Sequence, residues 1–243
     1  LLGAVGVNLH QPEVTAAMVH AALVAAGAGG APPAQQRALK QRNALLKYFA
    51  ANRTFQADML ELYDHQLSEY APVIFAARSA FAAQFTPMLQ EAYEDISGGR
   101  EQVELRYESL LAEQSMADLL AERLSKDRVL QFTSAGPHRE DLDFTLLGHP
   151  LQRVGSQGQQ KSFLIALKLA AFEVLHQALG RKPILLLDDV FDKLDAQRVE
   201  GLIRMVNDHR FGQIFVSDTH PERTAELLKA LDQESVVHEL THS

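Results

Sequence analysis

Ile184-Leu185-Leu186-Leu187-Asp188-Asp189 is the stretch that decides the fold. Four bulky apolar residues ending abruptly in two carboxylates describe a central parallel strand that delivers acids to a ligand crevice at its C-terminal end. Upstream, Ser156-Gln157-Gly158-Gln159-Gln160 opens a long apolar helical pattern. Downstream, the strand pattern Gln213 to Val216 runs into Ser217-Asp218-Thr219-His220. Helix 160–179, strand 184–188, helix 195–208, strand 213–216, helix 221–230 and strand 235–240 alternate, which predicts an α/β layer with a largely parallel sheet.

Each of these motifs has a chemical reading. Ser156 and Gly158 precede a helix whose first-turn amides are unsatisfied, so the loop can take a phosphate oxygen with the amides, the hydroxyl and the helix dipole. Read by itself, Ser156 is equally a helix cap. Asp188 and Asp189 repel each other unless a cation or proton offsets one of them. Their side chains leave the strand on opposite faces, so they divide the work. Asp188 would hold Mg2+ through its water shell and Asp189 would position or deprotonate an attacking water. His220, at the end of the next strand, could donate to a γ-phosphate, with Asp218 beside it; capping or a solvent-exposed role is the alternative. The order of loop, acidic strand and histidine is that of an ABC-type ATPase head, and it predicts bound ATP.

The complementary P-loop, Gly-x-x-x-x-Gly-Lys-[Ser/Thr], wraps phosphates with backbone amides and a lysine. None of the eight lysines in the 243 residues follows a glycine. With Leu1 as first residue, the sequence reads as the C-terminal portion of a longer protein.

A 47% hydrophobic composition supports a sizeable core. The net charge of -8 argues against a generally basic nucleic-acid coat and leaves room for a local basic groove. No cysteine is present, so disulfides and thiolate metal sites are excluded, as suits a cytoplasmic protein. Neither a signal peptide nor a membrane span is expected.

Three segments are expected. Residues 1–34 are rich in Ala, Gly and Val with Glu13 as their one charge, an atypical tail that reads as a translation artefact or as a poorly packed terminus. Residues 35–95 form a helical lobe, in which Leu60, Tyr63, Leu67, Tyr70, Ile74, Ala77 and Phe81 alternate steps of three and four as a coiled-coil seam. The helix Arg37 to Ala51 folds back on it through Asn52-Arg53-Thr54, and Pro72 should kink or break the second helix. Residues 96–243 form the head. There Val103, Leu105 and Tyr107 alternate as a strand, Met116 to Leu124 is a helix, Val129 to Phe132 a strand, and 141–147 with 151–154 a hairpin. Gly136-Pro137-His138-Arg139 is a structured loop in which Arg139 is expected to salt-bridge locally with Glu140, Asp141 or Asp143.

Together, Gly136-Pro137-His138-Arg139-Glu140-Asp141-Leu142, Ser156-Gln157-Gly158-Gln159-Gln160-Lys161-Ser162, Leu187-Asp188-Asp189 and Arg42-Asn43-Ala44-Leu45-Leu46-Lys47 resemble the RecF family of bacterial DNA replication and repair proteins, over about Gln36 to Leu240. The resemblance implies the C-terminal part of an ABC-type (P-loop NTPase) head with a helical antiparallel hairpin lobe. It implies an ATP-dependent homodimer in which Ser156, Gln157, Gly158 and Gln159 meet the γ-phosphate bound to a partner subunit. Asp188 would serve Mg2+, Asp189 the water, His220 the switch position and Asp195 the dimer contact. Asp192-Lys193-Leu194-Asp195 stands where many members carry Ser-Glu-Leu-Asp. Single-stranded and gapped DNA, RecO and RecR are the implied partners, in recombinational gap repair and the SOS response.

Two other readings compete. An SMC or Rad50 head would need a coiled coil of hundreds of residues, whereas the arm here occupies fewer than about 60. A non-enzymatic module that binds a repair partner without turning ATP over follows from the missing P-loop.

Overall fold

The computed structural model describes residues 32–140, 142–188, 191, 194–207, 211–217, 229 and 235–238. The expected tail up to residue 31, Asp189, Asp192, Lys193, Asp218, His220 and nearly all of the helix expected at 221–230 lie outside these residues. The described chain forms two compact units. One holds the helical hairpin to Thr86 together with Leu105–Phe144; the other holds Pro87–Glu104 and the described residues from Thr145 onward. The helical lobe expected over 35–95 therefore recruits a later segment of the chain.

In the first unit, helix α1 (Pro33–Asn52) starts with proline in its first turn, where the missing amide costs nothing. It stops at Arg53, which takes a left-handed conformation at φ 53; the Arg53 N–H donates to the Ala50 carbonyl and the Thr54 N–H to the Phe49 carbonyl, closing the helix. Helix α2 (Asp58–Ser97) places Asp58 and Glu61 in its first turn, favourable to the helix dipole. Ala38 packs with Leu67 and Ala71, while Leu46 and Phe49 pack with Leu60, so the two helices run antiparallel. The seam is as expected: Leu60, Leu67, Ile74 and Phe81 are buried, with Tyr63, Tyr70 and Ala77 half-buried between them. Each fully buried Leu on such a seam contributes about 2 kcal/mol.

Pro72 does not break α2, which runs through both Pro72 and Pro87. Both prolines are on the exposed side of the helix, where water can serve the carbonyl each leaves unbonded. A third helix, α3 (Met116–Leu130), completes the unit, with Met116 and Leu120 in the Ala38 cluster and Leu124 beside Leu46. It takes in the first half of the strand expected at 129–132: Val129 and Leu130 are its last turn, Val129 is 80% exposed, and Gln131 and Phe132 form a turn and a bend.

Strand β1 (Val103–Tyr107) is as predicted, with Val103 and Leu105 buried. Strands β2 (Leu142–Leu146) and β3 (His149–Pro150) pair antiparallel, Thr145 with Pro150 and Leu146 with His149, in a sheet ordered β1-β2-β3. Leu147 and Gly148 form the turn, both at positive φ. The second arm of the expected hairpin is instead a short helix, α4 (Leu151–Val154), because the chain turns at Pro150.

In the second unit, helix α5 (Gln157–Leu179) starts three residues earlier than expected. It is long and apolar enough to cross a membrane, yet most of it is buried among its own neighbours. Strand β4 (Leu185–Asp188) pairs in parallel with β5 (Ile214–Ser217), Leu187 beside Val216 and Asp188 beside Ser217. Helix α6 (Ala196–Asn207) connects them, which gives the expected β-α-β order. Residues 235–238, expected to begin a strand, carry no regular structure.

Candidate functional site

The start of α5 is a capping box. Ser156 Oγ accepts from the Gln159 amide at 3.3 Å, and Gln159 Oε1 accepts from the Ser156 amide at 2.8 Å. The capping reading of Ser156 is the one the geometry realises, and the cap fixes the loop that carries Gln157 and Gly158. Gly155 permits the tight approach, because a Cβ there would stand 2.8 Å from the Leu151 carbonyl. The other end of the Gln159 amide, Nε2, donates to Glu101 Oε1 at 3.0 Å.

Glu101 is the centre of the arrangement. Arg198 Nη2 donates to both of its carboxylate oxygens, at 2.9 and 3.2 Å, and the Tyr93 hydroxyl donates to Oε2. Arg198 Nη1 continues to Ser162 Oγ on α5 at 3.0 Å. At the start of α6, Asp195 Oδ1 accepts from the Arg198 amide at 2.9 Å and its other oxygen lies 3.5 Å from Arg198 Nε. One guanidinium thus ties α5 to the segment that follows β4. Arg100, which donates to Gln197, lines one open cleft with Ser156, Gly158, Gln159, Asp195 and Arg198.

The electrostatics follow from these contacts. Burial raises the Glu101 carboxyl, but hydrogen bonds from Tyr93, Gln159 and Arg198 and the Arg198 charge outweigh it, so the group sits below its ordinary value. Burial and the Glu101 hydrogen bond push Tyr93 upward, keeping it a donor. Arg198 is held charged: burial opposes it, and Tyr93 and Glu101 more than restore it.

Asp188 stands apart from that cleft, exposed at the end of β4, where the Ser217 hydroxyl donates to Oδ1. Behind it on α5, Lys168 is buried; desolvation brings its ammonium down to about 8, with Asp188 opposing and Lys161 adding to the fall. Among the described residues no group of three His, Asp or Glu side chains gathers to hold a metal. A single exposed carboxylate suits Mg2+, which keeps several waters and is bound largely through substrate phosphates. The structure thus brings Ser156, Gly158, Gln159 and Asp195 together and leaves Asp188 at a separate strand end, while Asp189 and His220 lie outside the described residues. Glu101, Arg198 and Tyr93 were missed by sequence reasoning. Glu101 and Arg198 are 97 residues apart, and no local pattern marks them as partners.

The loop Gly136–Arg139 belongs to the other unit and forms a short 3-10 turn, η1 (Pro137–Arg139). It is held by Arg78, whose Nη1 donates to the Pro137 carbonyl at 2.6 Å, and by His138 Nε2, 2.9 Å from the Thr133 carbonyl. Glu140 accepts from the Tyr107 and Ser109 hydroxyls, and the Arg139 guanidinium lies 4.4 Å over the Phe132 ring. Arg139 Nε also donates to the Thr133 carbonyl at 3.5 Å; of the partners expected for a local salt bridge, Asp141 lies outside the described residues.

The chain is 52% identical over 198 residues to the DNA replication and repair protein RecF of Flavobacterium johnsoniae, covering 82% of this chain and 55% of that protein. This chain is a RecF homologue. The RecF of Parabacteroides distasonis is 44% identical over 198 residues, covering 82% of the chain and 53% of the relative. A solved structure of the recombination mediator protein RecF-ATP in the RecFOR pathway superposes with a TM-score of 0.65 at 28% identity, over 78% of this chain and 52% of that one. The chain spans about half the length of the RecF proteins it matches. No family model matches it. The α/β architecture with a helical hairpin is thereby placed with the RecF fold.

Proposed function

We propose that this chain supplies the signature face of an ATP-bound RecF dimer in DNA replication and repair. The observation that carries the reading is the fixed loop Ser156–Gln159, tied through Glu101 and Arg198 to Asp195 and opening into one polar cleft. Ser156, Gln157 and Gly158 contact the γ-phosphate of nucleotide held by the P-loop of a partner subunit. Asp188 serves Mg2+, Asp189 the attacking water and His220 the γ-phosphate on the side of the subunit that carries the P-loop. Bound nucleotide supplies the charge that draws two such faces together, and a γ-phosphate bridging two subunits favours the closed dimer by differential affinity. Hydrolysis removes that bridge and reopens the clamp. The clamp closes on single-stranded or gapped DNA and works with RecO and RecR in recombinational gap repair and the SOS response.

A second reading follows from the absence of a Gly-Lys pair in the sequence: a module that docks to a repair partner without turning over ATP. One substitution separates them. Asp189→Asn, made in a protein that also carries a P-loop, is expected to retain ATP binding and dimerisation and to hydrolyse ATP slowly. Normal turnover in that variant would remove Asp189 from catalysis.

A further inference from the structure

The net charge of the protein is -8, yet no Asp or Glu occurs between Glu13 and Asp58, a stretch that carries Arg37, Lys40, Arg42, Lys47 and Arg53. Arg42 is wholly buried, and the other four are exposed. Arg37, Lys40 and Lys47 recur at steps of three and seven, which puts them on one stripe of α1, opposite the buried Ala38, Arg42, Leu46 and Phe49. Tyr48 adjoins the stripe with 54% of its surface exposed. Arg53 ends the helix, and there the Arg128 guanidinium lies 3.9 Å over the Phe55 ring.

An ordinary solvated helix face mixes its charges, because pairs of opposite sign four residues apart support the helix. Here all the exposed charge on α1 is positive. Among the described residues, none of Arg37, Lys40, Lys47 and Arg53 makes an ion pair, and Asp58 and Glu61 at the start of α2 make none with them. Nor do Arg37, Lys40 and Lys47 offset the helix dipole, since the last turn of α1 holds no basic residue. A single-signed stripe with an exposed aromatic beside it, on an acidic protein, has the make-up of a surface that tracks a phosphate backbone and stacks a base.

We propose that the stripe Arg37, Lys40 and Lys47, with Tyr48 beside it and Arg53 at the helix end, is a contact surface for the backbone of single-stranded DNA. The inference rests on the DNA-repair reading above and gives it a location in the helical lobe. Each cation neutralises one phosphate, and Tyr48 offers its ring to a base.

The test is fluorescence anisotropy of the full chain with labelled oligo-dT across a salt series. The Arg37→Gln/Lys40→Gln/Lys47→Gln variant is expected to bind about tenfold or more weakly and to show a salt slope smaller by about 2, since each lost phosphate contact on a single strand removes about 0.7. Tyr48→Ala is expected to weaken oligo-dT binding about fivefold or more while leaving the slope unchanged. Arg181→Gln, an exposed cation in the other unit, should bind as wild type. Should Arg181→Gln lose as much per charge as the stripe, bulk charge rather than this surface would be responsible, and the proposal fails. A triple variant with wild-type affinity and slope overturns the surface but leaves the DNA reading standing. A wild-type chain that ignores oligo-dT but binds an acidic peptide overturns both, assigning the stripe to a protein partner.

Discussion

Arg198 and Glu101, 97 residues apart in sequence, meet through two hydrogen bonds from one guanidinium nitrogen, at 2.9 and 3.2 Å. This pair joins the start of the signature helix to the start of α6, because Glu101 also accepts from Gln159 and Arg198 also engages Ser162 and Asp195. Among the described residues, removing Arg198 leaves the Glu101 carboxylate desolvated without a counter-charge, and removing Glu101 leaves Arg198 only the more distant, exposed Asp195. Glu101→Ala is therefore expected to cost about 3 kcal/mol, as is Arg198→Met, with the double variant losing clearly less than the sum. Urea titration of the four proteins measures the coupling, and strict additivity would mean that the pair does not act as a unit.

A stricter case lies in the helical lobe. Arg42 is fully buried and donates to Asp64 at 2.6 Å, to Asp127 at 2.7 Å and to Thr133 at 2.9 Å; Asp127 is itself buried and accepts from Ser134. Arg42→Met should destabilise by about 3–5 kcal/mol because it strands the Asp127 carboxylate. Arg42→Lys should recover only part of this, since an ammonium lacks the fork that reaches all three partners. Full recovery in the lysine variant would contradict the geometry.

Gly201 gives a purely steric prediction. It lies on α6 against the end of α2, and a Cβ there would stand 2.3 Å from the Asp95 carbonyl oxygen. Although alanine favours helix, Gly201→Ala should lower stability by about 1–3 kcal/mol through overpacking. A stabilised variant would show that the two helices separate freely.

Stability should also rise with pH across the weakly acidic range. Burial, with the charge of Arg139, holds His138 below its ordinary 6.5, against the Thr133 carbonyl, which favours the proton. Between the folded value and 6.5 the unfolded chain binds more protons, so stability is full above that window and is lost as pH falls through it. Glu101, also depressed, adds a loss of the same sign below its ordinary 4.5. Denaturant midpoints at about pH 5 and about pH 7 should differ less in His138→Gln than in the wild type. An equal difference would assign the dependence elsewhere.

What the sequence made legible is what local periodicity encodes. The seam from Leu60 to Phe81, the alternation at Val103–Tyr107 and the β-α-β order around Asp188 each depend on residues close in the chain. The errors arise where a short apolar run has no period of its own. Val129 and Leu130 read as strand, but they form the last turn of a helix in which Asp127 is anchored to an arginine 85 residues away. Pro72 read as a break because the sequence does not show that its side of the helix faces water. Ser156, Gln159 and Asp195 were marked as site residues from their motifs; the Glu101–Arg198 pair that holds them together was invisible for want of any short-range signal.

The most direct test of the central claim is ATP-dependent association of this chain with an intact RecF that carries a P-loop, followed by sedimentation with and without ATP. The account predicts a complex that forms with ATP and is lost with Ser156→Arg, which fills the cleft at the signature loop while leaving the partner's nucleotide binding untouched. No complex with ATP, or one that Ser156→Arg leaves unchanged, would contradict it.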